Sequence, residues 1–136
     1  MKNLDLFSKL SVQRAVSPVS DGDNTALVSQ IIDRVGFAGL LFAIALGSIA
    51  DADATFDVLV EHGDQANLSD ALAVPAAELQ GSDADFQFDD DNETRKIGYV
   101  GNQRYVRLTI TPTGNAGAAL ISAIAILGGA ESSPVV

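Results

Sequence analysis

Any chemistry in this chain has to come mainly from carboxylates, because the other catalytic and ligating side chains are scarce. His62 is the single histidine, and there is no cysteine. Thiolate metal sites, cysteine nucleophiles and disulfides are therefore excluded. A lone histidine beside Gly63 and Asp64, with no second His or Cys, makes a poor metal site. The acidic runs Asp83-Ala84-Asp85 and Asp89-Asp90-Asp91-Asn92-Glu93 offer the hard oxygens that Ca²⁺ takes. They lack the spacing and glycine of an EF-hand loop, so a solvated loop is the plainer expectation. Asp21, Asp23 and Asn24, like Asp51 and Asp53, have the composition of turns whose side chains bond their own backbone. Paired carboxylates serve acid–base catalysis only beside an organised partner, and no base or nucleophile accompanies these. There is no Gly-x-Ser-x-Gly elbow and no phosphate-binding glycine loop. The chain reads as a non-enzyme, with no cofactor and no metal.

One cationic and aromatic constellation remains, Arg104, Tyr105 and Arg107. It lies in the segment from Ile97 to Thr111, which reads as a short strand, a glycine turn and a second strand. Strict alternation puts Val106, Leu108 and Ile110 on one face and Tyr105, Arg107, Thr109 and Thr111 on the other. Two roles stand open. Tyr105 caps a sheet edge while Arg107 pairs with loop carboxylates, or Arg107 makes an ion pair with a neighbouring subunit.

The elements that must position these residues are strands. Ser11 to Val16 forms a first strand, stopped by Ser17-Pro18, and Ala26 to Ile32 a second. Gly39 to Gly47 is the clearest core strand, with Leu40, Phe42, Ile44 and Leu46 on one face and Leu41, Ala43, Ala45 and Gly47 on the other. Both faces are apolar, which predicts a central strand covered on both sides. The small-residue face allows another layer or subunit to approach closely. Thr55 to Glu61 follows, and its spacing predicts an antiparallel hairpin with the strand before it. Asn67 to Ala73 and Pro75 to Gln80 read as short helical turns, and Asp83 to Glu93 as an acidic loop interrupted by Phe86 and Phe88. Arg95 to Val100, Arg104 to Thr111 and Ala118 to Leu127 complete the set, the last broken by Gly128-Gly129. Seven strands separated by Gly, Asp, Asn and Pro turns predict an all-β fold. Its expected form is an antiparallel, jelly-roll-like β-sandwich.

Length and composition agree with one domain. The chain has 136 residues, 47% of them hydrophobic, enough for one buried core. Residues 12–127 are read as the sandwich, 1–11 as an N-terminal arm and 128–136 as a C-terminal tail. Leu4, Phe7 and Leu10 recur at helical spacing in the arm. The arm packs on its own domain or docks on a neighbouring subunit. Asp5 and Lys9 interrupt the apolar start, so no signal peptide is expected. The stretch from Phe37 to Ala50 is too short for a membrane-spanning helix. A formal net charge of −10 repels phosphate backbones and anionic lipid, which argues against nucleic-acid and membrane partners.

The run from Ile97 to Arg107 resembles a pattern in small tailed-phage and prophage virion proteins. The Met-Lys-Asn-Leu start, the small-residue strand from Phe42 to Gly47, Ala125-Ile126-Leu127-Gly128 and the Pro134-Val135 ending are similar too. The loop from Asp83 to Glu93 is longer here than in that pattern. The resemblance implies a capsid decoration or cement protein on the outer surface of a virion. Such a protein binds the major capsid protein lattice, commonly as a homo-trimer. Leu4, Phe7, Leu10, Tyr105, Arg107, Pro134 and Val135 would then be interface residues. A neck- or tail-associated virion protein is the alternative. The strand from Arg104 to Leu108 also resembles one in discoidin-like carbohydrate-binding modules, which would use Tyr99, Tyr105, Phe86 and Phe88.

Overall fold

The structure, a computed structural model, describes residues 3–81 and 84–135. The chain forms two antiparallel sheets. One holds, in spatial order, β1 (Ser11–Asp21), β11 (Ala119–Ala130), β4 (Phe37–Ile49), β9 (Thr94–Tyr99) and β7 (Leu79–Gln80). In the other, β2 (Leu27–Val28) and β3 (Ile32–Asp33) lie along β10 (Tyr105–Thr113). β10 pairs with β5 (Thr55–Gly63), which carries β6 (Leu72–Ala73) and β8 (Phe86–Gln87) on its far side. If β2 with β3, and β6 with β8, each count as one interrupted strand, the first strand lies beside the last and the second beside the second-last. That nesting is the winding of a jelly roll. Among the described residues there is no α-helix, only 3₁₀ turns at Ala76–Glu78 and Phe88–Asp90.

Period-two alternation builds the core. Leu40, Phe42, Ile44 and Leu46 of β4, with Ile121, Ala123, Ala125 and Leu127 of β11, face Phe56 and Val60 of β5 and Val106, Leu108 and Ile110 of β10. All are buried, and each large side chain among them contributes about 1.5–3 kcal/mol. The sandwich edge is stitched by two adjacent residues that bond opposite sheets. Ser29 donates its N–H to Leu108 O and accepts the Leu108 N–H on Oγ, while Gln30 donates its N–H to Ala15 O. This stitch splits the expected strand from Ala26 to Ile32 into β2 and β3.

Several expectations are corrected. β4 and β5 do not form a hairpin, because they belong to different sheets. The short turn between them, held by Asp51 and Asp53, carries the chain across the sandwich. β9 and β10 likewise lie in opposite sheets. β1 continues through Pro18 to Asp21, because Pro18 sits at a register shift on an edge strand, where no ladder N–H is needed. Pro112 also lies inside its strand, opposite Phe56. Gly128-Gly129 does not end β11, which runs to Ala130 opposite Phe37, with Gly129 in the left-handed region at φ 65°. The segment Asn67 to Ala73 contains a turn and β6 rather than a helix. Among the described residues, β4 is covered on one face only.

Candidate functional site

Two candidate surfaces emerge, both apolar, and a buried polar corner supports the fold near them. The first surface is the outer face of the five-stranded sheet. Cross-strand register places its outward side chains in rows: Val12, Ile126, Leu41 and Gly98, then Arg14, Ile124, Ala43 and Lys96, then Ser122, Ala45 and Thr94. Leu120 leans over Gly47, where an added Cβ would stand 2.8 Å from Leu120 Cβ. Leu120 and Ile124 are exposed, and among the described residues nothing covers them. A shallow groove of about 410 Å³ runs between Pro18-Val19 and Ala45-Gly47, over Leu120 and Ser122. The opposite outer face is mixed: exposed Val28 and Leu59 flank Thr109, Thr111 is exposed beside them, and Arg107 donates to Glu61 of β5 directly across the ladder at 2.9 Å.

The second surface is formed by the chain ends. Asp5 Oδ1 accepts the Ser8 N–H at 3.0 Å and Lys9 donates its N–H to Leu6 O, making a single turn. Val135 donates its N–H to Ser8 O at 3.0 Å, and Lys9 Nζ reaches Ser133 Oγ. Arm and tail thus hold each other. The helical spacing does not bury the three apolar residues together. Leu10 alone leans on the domain, against Gly128, while Leu4 and Phe7 are 75% and 91% exposed. Pro134 is exposed, and Val135 lines an apolar hollow with Leu6, Phe7, Leu10 and Val12. Met1, Lys2 and Val136 lie outside the described residues, as do Ser82 and Asp83.

The polar corner centres on Arg34, which sequence reasoning missed. Its buried guanidinium donates to the carbonyls of Gln103, Phe37, Ala38 and Gly101, and lies 5.0 Å from the centre of the Tyr99 ring. The Tyr99 hydroxyl oxygen accepts the Gln103 N–H at 3.0 Å and lies 2.8 Å from His62 Nδ1. Burial pushes the Tyr99 phenol up from its ordinary range. Glu78 Oε2, 3.8 Å from His62 Nδ1, is buried without a hydrogen bond. The corner pins the two crossings at residues 34–38 and 101–103. A buried Arg inside a run of polar and apolar residues has no sequence signal beyond its position between Asp33 and Gly36.

Arg107 and Tyr105 are placed on β10, an interior strand rather than an edge. Tyr105 is half-buried and stacks with Arg104 at 5.1 Å, and Arg104 in turn forms a forked pair with Asp33 at 2.9 Å. The Arg104 hydrogen bond holds the Asp33 carboxyl below the usual range. Of the aromatics open to sugar stacking, Tyr99 and Phe86 are buried, and Phe86 stacks on Phe56 at 4.7 Å. The acidic segments are internally satisfied in large part. Asp85 accepts the Val58 N–H, and Asp90 and Glu93 pair with Arg95. Among the described residues no three potential ligands gather into a metal-binding cluster.

The turn aspartates bond backbone as expected. Asp51 accepts the N–H of Asp53 at 2.9 Å and of Ala116 at 2.8 Å, and these bonds hold its carboxyl below the ordinary value. A lowered folded-state value means that the stabilisation is present above the unfolded value of about 4 and is lost as pH falls through the folded one. Asp51→Asn is therefore expected to melt a few degrees below wild type at neutral pH, with the gap closing below about pH 4. Thermal melts across that window measure it, and a gap independent of pH would contradict the assignment.

No family model and no curated protein matches the sequence. Solved structures do resemble it. The PBSX exported protein XepA aligns with 100% of this chain and 43% of its own, at 12% identity and a TM-score of 0.63. The SPBc2 prophage-derived protein YomS aligns with 86% of this chain and 92% of its own, at 10% identity and a TM-score of 0.50. A chain of infectious bursal disease virus Gx strain aligns with 93% of this chain and 33% of its own, at 11% identity and a TM-score of 0.55. At such identities the likeness is one of fold. This chain spans less than half the length of XepA.

Proposed function

We propose that the chain is a non-enzymatic structural component of a virus particle, a capsid decoration protein that attaches to the major capsid protein lattice through its N-terminal arm. The observation that carries this reading is the arm itself. Leu4, Leu6 and Phe7 are held out into solvent at one corner of the sandwich by a tail bonded to Ser8. Large apolar side chains presented together in this way mark an interaction site, and an aromatic near the middle of such a segment is the usual anchor. YomS is prophage-derived by name and the third similar fold comes from a virus structure, which supports a viral setting for the fold.

Deletion of residues 1–10 tests the reading. The truncated protein, mixed with capsids that lack it, is expected to lose co-sedimentation by at least about tenfold, since one buried aromatic anchor carries that much binding. Its sheet circular dichroism should persist. Full occupancy by the truncated protein overturns the docking arm. Retention on isolated tails but not on capsids moves the protein to the neck or tail.

A further inference from the structure

The centre of the five-stranded sheet has an outer relief that fits itself. Ile124 stands level with Ala43, Ser122 with Ala45, and Leu120 leans over Gly47. Large Ile124 and Leu120 of β11 stand beside small Ala43 and Gly47 of β4, while Ser122 faces Ala45 and Ile126 faces Leu41. We propose that this face binds the same face of a second copy, about a twofold axis that runs along the strands midway between β11 and β4. That operation sets Ile124 over Ala43 of the partner subunit and brings the two Leu120 side chains, each leaning over its own Gly47, together near the axis, and it closes on itself as an isologous contact.

Area and charge both favour a second copy as the occupant. Four strands about 4.8 Å apart, rising about 3.4 Å per residue over some nine residues, cover a plane of about 600 Å². Two such faces clear the roughly 1,000 Å² that a specific contact needs. A lone soluble domain rarely leaves a larger apolar patch uncovered. Each copy carries a net charge of −10, so two copies repel through any carboxylate-bearing surface. Among the described residues, the outward side chains of β1, β11, β4 and β9 on this face include no carboxylate. Its charges, Arg14 and Lys96, stand on the flanking strands, where long side chains turn outward to water. The small row on β4 lets the backbones approach closely. The contact needs no capsid and does not rest on the role proposed above.

Light scattering on the purified full chain over a range of concentrations tests it. The expected mass is that of a dimer, and the dimer should tighten as salt screens the repulsion between copies. Ala45→Glu and Ile124→Glu change exposed positions, so both should fold, as circular dichroism checks. Each should weaken the dimer by at least about 100-fold, because a carboxylate enters an apolar contact in two copies. Thr111→Glu, on the opposite outer face, should leave the mass unchanged. A wild-type monomer or trimer overturns the proposal, as does a dimer that survives both substitutions. A monomer that loses capsid attachment on Ala45→Glu assigns the face to the capsid protein instead and overturns it equally.

Discussion

Arg34→Met is expected to lower folding stability by about 3–5 kcal/mol, read as a shift in the urea midpoint at unchanged slope. The side chain has two jobs that methionine cannot do. It donates to four backbone carbonyls drawn from two separate crossings, and it covers the Tyr99 ring. Without it, four part-buried carbonyls lose their donor, and each orphan costs about 1–3 kcal/mol unless water enters. Arg34→Lys should recover less than half of the loss, since an ammonium has no planar fork to span carbonyls on both sides. A methionine variant within about 0.5 kcal/mol of wild type would show that water satisfies those carbonyls.

Phe86→Ala should cost about 3–4 kcal/mol by leaving a cavity beside Phe56. Phe86 is buried, and its ring is stacked on that of Phe56, itself fully buried, with 11° between the planes. The loss should also be local in its signature. Phe86 anchors a segment that otherwise holds on through the Asp85 bond to Val58 and the pairs made by Arg95. Freed of that anchor, residues 84–93 should become a preferred site for a protease that cleaves after acidic residues. Phe88→Ala, at a position 40% exposed, should cost well under about 1 kcal/mol and leave the protease pattern unchanged. Equal sensitivity of the two variants would mean that the Phe86 ring does not hold the segment.

The fold class was legible because the strands of both sheets alternate cleanly. The inner faces of β4, β10 and β11 are the ones the alternation picks out. What alternation cannot carry is which sheet a strand joins. Residues 50–54 are short enough for a hairpin, yet they cross the sandwich, and Asp51, which accepts the Ala116 N–H, and Ala50, which donates its N–H to Ala118 O, tie that turn to the loop before β11 rather than to β5. The two apolar faces of β4 were also legible, but their meaning was not. A face covered by the chain's own layer and a face left for another molecule have the same composition. Arm residues Leu4 and Phe7 were readable as an apolar segment, and the structure adds that they point away from the domain. Arg107 was readable as a partnered cation, but the partner, Glu61 on the adjacent strand, follows only from register.

The nesting of first strand beside last has a kinetic consequence. β11 lies between β1 and β4, so β1 cannot join the rest of the five-stranded sheet until β11 arrives. Pairing Ser11 with Leu127 spans nearly the whole sequence, and long-range pairing of this kind folds slowly. Before β11 is synthesised, β1 and β4 have nothing between them. On the twofold contact proposed above, copies recognise one another only once β11 is in place, which keeps chains that lack it out of any assembly built from that face.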